Sequence, residues 1–360
     1  MKTNFNKKKY SIKYTYNLSN KFNLHEKQNN IGKNQQNQIS IKKNMEMRLV
    51  MKNKIIERIE NADEEFEVQI TNEKGDIMSV ALKDVITATP STPIINVANL
   101  MTKNNIRRVP ITEPGSGKIL GIITTMDILD FFGGGKRYNI ITEKYNGNFL
   151  SAINAPIREI MTKDVKTMSY KDTIIDAASV MIKDKIGGLP IIDDDEQIIG
   201  MITEGDVVSK LKELIFEREA RDLMTDNIIT TTPGTRIEGV TKIMVRNSLR
   251  RIPIVGEDPN SNSKEEKILG VVTASDVLKY LGDHELFAKL FSNEGNDVVD
   301  VTIDNLMEDF LITAPMYEKT EDLIDLMKKF SIKGIPIVDE DTNKLVGIVT
   351  VRDLLKAIVE

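Results

Sequence analysis

The sequence contains no cysteine, no tryptophan and only two histidines, and aromatic residues make up 5% of its 360 positions. Without cysteine there are no disulfides, thiolate metal ligands or cysteine nucleophiles, which fits a protein of the reducing cytoplasm. The two histidines, His25 and His284, lie far apart in the chain, and we interpret both as surface residues. We therefore predict no metal site and no Ser-His-Asp triad.

Long apolar runs are also missing, because no stretch reaches the roughly 18 apolar residues that a membrane-spanning helix needs. The formal net charge is −5, but residues 1–44 carry +9, which leaves −14 on the remainder. An acidic body is a poor general binder of nucleic acid, because contacts to phosphate dominate that affinity. We therefore predict no membrane partner, and no nucleic-acid partner except through the first residues.

The basic N-terminal segment is dominated by Asn, Lys and Gln, which predicts a disordered tail over residues 1–50. It lacks the apolar segment of a secretory signal. One interpretation is a basic arm for nucleic acid or anionic lipid. The other is a misassigned start, with Met45, Met47 or Met51 as the first residue, since translated AT-rich DNA also produces Asn and Lys.

Two short sequence phrases recur four times, always in the same order. The first is a proline between apolar residues, and the second is Gly, two apolar residues, Thr, two variable residues and Asp. The copies are VPI (109–111) with GIITTMD (121–127), LPI (189–191) with GMITEGD (200–206), IPI (252–254) with GVVTASD (270–276), and IPI (335–337) with GIVTVRD (347–353). Four ordered copies indicate a repeat protein.

The spacing of the repeats indicates a duplicated pair. Neighbouring Asp residues are 79, 70 and 77 positions apart, whereas alternate ones are 149 and 147 apart and agree better. The residues before the proline phrase follow the same rule, since odd repeats have two arginines and even repeats have glycine. These residues are Arg107-Arg108 and Arg250-Arg251 in the odd repeats, and Gly187-Gly188 and Lys333-Gly334 in the even ones.

The second repeat illustrates the secondary structure that the periodicity predicts. Residues 174–185 have helical apolar spacing, and Gly187-Gly188 is expected to end that helix. Strands follow at 189–192 and 198–203, and a second helix at 204–214. The predicted unit is strand-helix-strand-strand-helix, of about 55–60 residues, which is too small to bury a comfortable core without a neighbour.

These repeats resemble CBS domains, and each pair resembles a Bateman module. The likeness covers roughly residues 65–360 and extends to stand-alone archaeal CBS proteins and the gamma subunit of the AMP-activated protein kinase. It implies an α/β fold of four β-α-β-β-α repeats, paired into two modules that pack as a disc. The expected boundaries are a tail at 1–50, repeats at 65–135, 157–214, 215–282 and 303–360, and linkers at 136–156 and 283–302. We interpret Gly133-Gly134-Gly135-Lys136-Arg137 as part of a flexible linker, because it lacks the Gly-Lys-Ser/Thr ending of a phosphate-binding P-loop.

The recurring Thr and Asp have two interpretations. A threonine followed three positions later by an acid, at a strand-to-helix junction, predicts a capping box. A helix N-terminus is also a phosphate site, and in CBS domains the Asp takes the ribose hydroxyls while the Ser or Thr contacts phosphate. The resemblance thus implies ligand binding by Thr124, Asp127, Thr203, Asp206, Thr273, Asp276, Thr350 and Asp353.

The proline phrase is predicted to complete a nucleoside cleft. Proline cannot donate to a sheet ladder, so it indicates an edge or an interruption, which leaves backbone free for adenine. Apolar contact is expected from Val109, Leu189, Ile252 and Ile335. The resemblance adds four threonines at the repeat starts, Thr87, Thr167, Thr230 and Thr313, whose alternative explanation is β-propensity.

The arginine pairs bear on the choice of ligand. Arginine suits bidentate contact with phosphate, so Arg107, Arg108, Arg250 and Arg251 favour AMP, ADP or ATP over S-adenosylmethionine. The alternative is that they complement the negative end of a helix dipole. Because both pairs lie in odd repeats, we predict two stronger phosphate sites and two that are weaker or only structural.

The repeats leave no room for a catalytic domain, so we predict a protein that is not an enzyme and has no cofactor. The predicted function is a cytoplasmic regulatory sensor that binds adenosine-containing nucleotides between paired repeats. It would signal to an unidentified protein partner by a conformational change. The sequence leaves open whether the protein forms a homodimer. The alternatives are a sensor of S-adenosylmethionine or methylthioadenosine, a ligand-independent scaffold, or a nucleic-acid binder that uses the basic tail.

Overall fold

The computed structural model describes residues 76–215, 218–257, 265–281, 301–307 and 311–359. The predicted basic tail, both histidines and most of the second linker lie outside the described residues. Within the described ranges, no helix is both long and apolar enough to cross a membrane.

Each of the four repeats has two main helices around an antiparallel pair of strands. Repeat one comprises α1 (Ile94–Lys103), β1 (Arg108–Thr112), β2 (Ile119–Thr124) and α2 (Thr125–Leu129). The connection to repeat two holds α3 (Asn139–Tyr145) and α4 (Phe149–Ile153). Repeat two comprises β3 (Met168–Ser169), α5 (Ile174–Lys183), β4 (Gly188–Ile192), β5 (Ile198–Thr203) and α6 (Glu204–Leu211).

The second half of the chain repeats this order. After the short α7 (Ala220–Leu223), repeat three comprises α8 (Ile237–Asn247), β6 (Arg251–Glu257), β7 (Glu266–Thr273) and α9 (Ala274–Leu281). Repeat four comprises β8 (Ala314–Pro315), α10 (Thr320–Lys329), β9 (Gly334–Val338), β10 (Leu345–Thr350) and α11 (Val351–Val359). The predicted α/β class and the β-α-β-β-α unit are confirmed.

The proline phrase sets the length of the first strand in each repeat. Pro110 lies opposite Ile122 in the β1–β2 ladder, and its carbonyl accepts a hydrogen bond from the Ala88 amide at 3.1 Å. The next bond of this parallel ladder would need an amide proton that proline lacks. The first strand is therefore a single bridge at Ala88 in repeat one and only two residues long in repeat two.

The first helix of each repeat ends without using glycine. Asn105, Lys185, Ser248 and Ser331 follow these helices, and all four have φ between 51° and 56°, the left-handed conformation that ends a helix. Gly187 and Gly188 therefore do not end α5, contrary to the sequence-based expectation. They lie at the start of β4 and have another role, described below.

Two hydrophobic cores hold the repeats together, and each core joins alternate repeats. The first core contains buried residues of repeats one and three, such as Ile128 and Val277, and the second contains buried residues of repeats two and four, such as Val207 and Leu354. Their second helices touch, α2 against α9 and α6 against α11. Each repeat thus buries its apolar helix faces against a repeat of the other half of the chain.

Repeats that are neighbours in sequence meet through their strands. Leu82 at the start of repeat one bridges Met201 in β5, and Thr225 at the start of repeat three bridges Ile348 in β10. These bridges link one with two and three with four, in the order that the spacing predicted. The connection at 136–156 is folded into α3 and α4, whose Ile141 and Ala152 are buried in the first core.

Candidate functional site

A cavity of about 1290 Å³ lies where the four repeats meet. Every repeat contributes polar side chains to its wall, including the arginine pairs and three of the four recurring aspartates. The sequence-predicted residues that line it are Arg107, Arg108, Thr124, Asp127, Thr203, Asp206, Arg250, Arg251, Thr350 and Asp353. Thr273 and Asp276 are outside the lining.

The four Thr and Asp pairs form the same capping geometry. In every repeat the Asp Oδ2 accepts a hydrogen bond from the Thr amide at 2.8 Å, and another from the Thr hydroxyl at 2.6 or 2.7 Å. The helices α2, α6, α9 and α11 therefore all begin at this Thr–Asp cap, which is reciprocal in α2, α6 and α9. Since only Oδ2 is used, the cap leaves the second oxygen, Oδ1, for another donor.

Repeat one differs from the others in how this second oxygen is used. Arg137 pairs with Asp127 Oδ1 at 2.8 Å, between its Nη2 and the carboxylate. For Asp206, Asp276 and Asp353, no hydrogen bond or ion pair of Oδ1 occurs among the described residues. Three of the recurring carboxylates thus keep a vacant acceptor.

The arginine pairs bring concentrated positive charge into the cavity. Burial, with the nearby Arg250, lowers the pKa of Arg107, and burial with Arg250 and Arg107 lowers the pKa of Arg108 to about 10. Burial and the guanidiniums of Arg107 and Arg250 lower the pKa of Arg251 to about 9. All remain protonated at neutral pH, so they are partly desolvated cations crowded against one another.

Two further cations complete the cluster, and sequence reasoning did not assign them to the site. Lys333 and Arg352 line the same wall, and burial lowers the pKa of Lys333. Within the described residues, the side chains of Arg107, Arg108 and Lys333 form no hydrogen bond or ion pair. These side chains are half-buried, and withdrawing an unpaired cation from water is unfavourable, so the cluster electrostatically favours an anion.

Glu204 is the internal counter-charge of this cluster. Its Oε1 accepts from Arg352 Nε at 2.7 Å, and its Oε2 lies 3.6 Å from Arg250 Nη1. It therefore ties repeat two to repeats three and four at the cavity wall. Glu204 and Arg352 occupy variable positions between the recurring Thr and Asp, and their charge was the signal that could have identified them.

The glycines of the even repeats make room for the arginines of the odd repeats. A Cβ on Gly187 would lie 2.5 Å from Arg250 Nη1, and a Cβ on Gly188 would overlap the guanidinium of Arg108. In repeat four a Cβ on Gly334 would overlap Arg251. The alternation of arginine and glycine in the sequence is thus a packing complement between repeats.

The apolar residues predicted for the nucleoside cleft need a correction. Val109, Leu189, Ile252 and Ile335 are all 0% exposed and belong to the two cores. Side chains alternate along a strand, so the neighbouring prolines face the other way. Of these, Pro110 and Pro253 line the cavity.

The wall of the cavity contains two sets of other apolar residues. One consists of Val85, Ile86, Pro110 and Met201, and the other of Ile228, Ile229, Pro253 and Ile348. The threonines at the repeat starts, Thr87, Thr167, Thr230 and Thr313, are not in this wall, and Thr230 lines a separate cavity of about 140 Å³. In the central cavity, apolar surface lies in the same wall as the arginine pairs.

Within the described part of the chain, no group of three or more His, Asp or Glu side chains could hold a metal ion. The cavity has instead the features of a site for an organic anion, with cations, free carboxylate oxygens and apolar patches. The fold and the site together define a repeat protein whose four repeats jointly enclose a cationic cavity.

The CBS-domain family model matches residues 75–134, 157–213, 220–283 and 301–360. The chain belongs to the CBS-domain family, which confirms the resemblance drawn from the sequence. CBS domains act as regulatory modules, and the four matches account for most of the chain.

The protein MJ1225 of Methanocaldococcus jannaschii is 37% identical over 282 residues, which cover 78% of this chain and 98% of that protein. Its crystal structure, described as that of a candidate archaeal homologue of g-AMPK, superposes with a TM-score of 0.70 at 36% identity and the same coverage. A 33.4 kDa protein of Thermofilum pendens is 25% identical over 74% of this chain and 85% of its own length. Inosine-5'-monophosphate dehydrogenase of M. jannaschii matches over only 22% of its own length.

Proposed function

We propose that the protein is a regulatory sensor of adenine nucleotides, with AMP, ADP or ATP bound in the central cavity. The observation that carries this is the cation cluster of Arg107, Arg108, Arg250, Arg251 and Lys333, which faces the same cavity as three capping aspartates. Phosphate groups would meet the guanidiniums, which suit bidentate contact with phosphate oxygens. A free Asp Oδ1 would accept from the ribose hydroxyls.

The adenine would contact the apolar patches. In repeat one, Pro110 removes the amide that would extend the first strand toward Ile86, so the backbone there is available to a base. Equivalent residues of repeat three, Ile229 and Pro253, form the second patch. Each odd repeat therefore contributes one apolar patch as well as one arginine pair to the wall of the cavity.

The charge of the cavity favours nucleotides over S-adenosylmethionine. That compound carries a sulfonium cation and no phosphate, so it would add positive charge beside guanidiniums whose pKa is already lowered by burial and mutual repulsion. A nucleotide supplies the counter-charge instead. The resemblance to MJ1225, described as a candidate homologue of g-AMPK, supports the same ligand class.

Signalling would use the junction of the four repeats. A ligand can shift an arrangement only if it binds one form more tightly, and phosphate between repeats would favour the form in which the arginines converge. The altered surface would be read by a protein partner in the cytoplasm.

A thermal-shift and calorimetry panel tests this function with AMP, ADP, ATP, adenosine, S-adenosylmethionine and methylthioadenosine. A nucleotide at about 100 times its Kd adds about 2.7 kcal/mol to the free energy of unfolding. We expect shifts with the phosphate-bearing ligands and little effect of adenosine. The proposal is wrong if no nucleotide binds, or if S-adenosylmethionine binds as tightly as AMP.

A further inference from the structure

The carboxylate of repeat one is engaged by an arginine of the connection to repeat two. Arg137 Nη2 lies 2.8 Å from Asp127 Oδ1, while Asp127 Oδ2 is used by the Thr124 cap. Both oxygens of Asp127 therefore have partners within the protein. A ribose diol needs a carboxylate oxygen that can accept, and at Asp127 Oδ1 it would have to compete with the guanidinium of Arg137.

Arg137 is held by more than this one pair. Its Nη1 bonds Asp130 Oδ2 at 3.0 Å, its Nε donates to the Ile160 carbonyl at 3.0 Å, and its amide donates to Asp130 Oδ1 at 3.1 Å. Arg137 thus bridges the carboxylates of Asp127 and Asp130, and charge-assisted hydrogen bonds are among the stronger polar interactions. Arg137 is therefore a fixed part of the wall and not a solvated surface chain.

The sequence around Arg137 is built for this contact. Gly133 has φ of 124°, a conformation that favours glycine, and a Cβ on Gly135 would overlap Asp130 and lie 2.9 Å from Val245 Cγ1. The glycine run at 133–135 thus lets the chain turn back so that Arg137 reaches Asp127. This accounts for a segment that otherwise looks like a plain linker.

Only repeat one has the second carboxylate that this arrangement requires. Three positions after the recurring Asp, repeat one has Asp130, whereas the other repeats have Ser209, Lys279 and Lys356. A serine or lysine there cannot hold an arginine in the same way. The occupied carboxylate is therefore specific to repeat one.

We propose that Arg137 fills the ribose subsite of repeat one, so that Asp127 binds no nucleotide in the wild-type protein. This inference rests on the proposed function and adds to it a residue that determines how many sites the chain has. The guanidinium of Arg137 takes the place of a ribose at Asp127.

The test is AMP calorimetry on the full chain with five variants. Asp127→Ala should leave the AMP stoichiometry of the wild type unchanged, whereas Asp206→Ala should weaken binding about tenfold or more at its site. Arg137→Gln should add one site per chain, and the double variant Arg137→Gln/Asp127→Ala should lose it again. Lys136→Gln is the matched control, because this neighbouring lysine is exposed, and it should behave as the wild type.

The possible outcomes separate the two proposals. Loss of an AMP site in Asp127→Ala, or an unchanged stoichiometry in folded Arg137→Gln, overturns the role of Arg137 while leaving nucleotide binding intact. Absence of binding of AMP, ADP and ATP to the wild type overturns the proposed function and this inference with it. If Arg137→Gln does not fold, the AMP stoichiometry of the single variant Asp127→Ala, which retains Arg137, still tests whether Asp127 binds nucleotide.

Discussion

Asp206 illustrates how one carboxylate serves both stability and binding. Its Oδ2 caps α6 through Thr203 at 2.7 and 2.8 Å, and its Oδ1 has no partner among the described residues. The chain offers a comparison, since Thr173 and Asp176 form the same capping box at the start of α5, away from the cavity wall. These two aspartates separate capping from ligand binding.

Asp206→Ala and Asp176→Ala should each lower the free energy of unfolding by about 1 kcal/mol, because each removes a helix cap. Only Asp206→Ala should also weaken AMP binding, because only Asp206 lines the cavity. Urea denaturation measures the first effect and calorimetry the second. Equal AMP affinities in the two variants would show that the recurring aspartates are caps and nothing more.

Arg251 illustrates the cost of a crowded cation. Its pKa is lowered to about 9, first by burial and then by Arg107 and Arg250, so at neutral pH it is charged in a place that disfavours charge. In the folded state such a group is destabilising until an anion arrives. The cavity should therefore respond to simple multivalent anions as well as to nucleotides.

Inorganic phosphate should raise the Tm of the wild type above its value in chloride at equal ionic strength. Phosphate at about 100 times its Kd would add about 2.7 kcal/mol, and Arg251→Met should lose most of that gain. Arg246→Met is the control, because Arg246 is exposed on α8 and should keep the full gain. An equal response of both variants to phosphate would argue against binding at the cluster.

At the scale of elements, the strands and helices follow from local sequence, but their contacts across repeats do not. The helix predicted at 174–185 is observed at Ile174–Lys183, and the strand predicted at 198–203 has those bounds. The sequence pattern predicts that the glycines at 187–188 end the helix before them. Their real constraint comes from side chains some 60 to 80 positions away in the sequence, which no local pattern reveals.

Gly334→Ala should reduce phosphate and AMP affinity while the fold is retained. A Cβ on Gly334 would overlap Arg251 and force this flexible side chain from its position, and such overpacking costs about 1–3 kcal/mol. Gly234→Ala is the control, since a Cβ there meets nothing within 4 Å. Phosphate titration followed by thermal melting compares the two, and equal affinities would refute the packing role of Gly334.

At the scale of the whole molecule, the two halves of the chain depend on each other. Repeats one and three share the first core, and repeats two and four share the second. Separating the halves would expose the apolar faces of α2 and α6, which pack against α9 and α11. Exposed faces of this kind tend to find a partner.

A chain consisting of residues 76–215 alone should therefore dimerise, since a second copy can offer helix faces like those of repeats three and four. Sedimentation equilibrium should give about twice the monomer mass for this half. The full chain measured alongside shows whether the intact protein also self-associates. A stable, monomeric half would contradict the view that alternate repeats bury each other's helix faces.

The sequence by itself determined the repeats, the order of helices and strands, and the four caps. Each of these depends on residues within a few positions of one another, such as a Thr and an Asp at i and i+3 or apolar residues at helical spacing. It also marked the arginine pairs as candidates for anion binding. Local geometry is nearly the same in every context, so local patterns predict it.

The tertiary structure determined which side chains of different repeats are in contact. It placed Val109 in the core and Pro110 in the cavity, assigned alternate repeats to shared cores, and set the glycines of even repeats beneath the arginines of odd ones. It also brought Arg137 into an ion pair with Asp127. These contacts join side chains from different elements, and their energies depend on burial and charge crowding that exist only once the four repeats have come together.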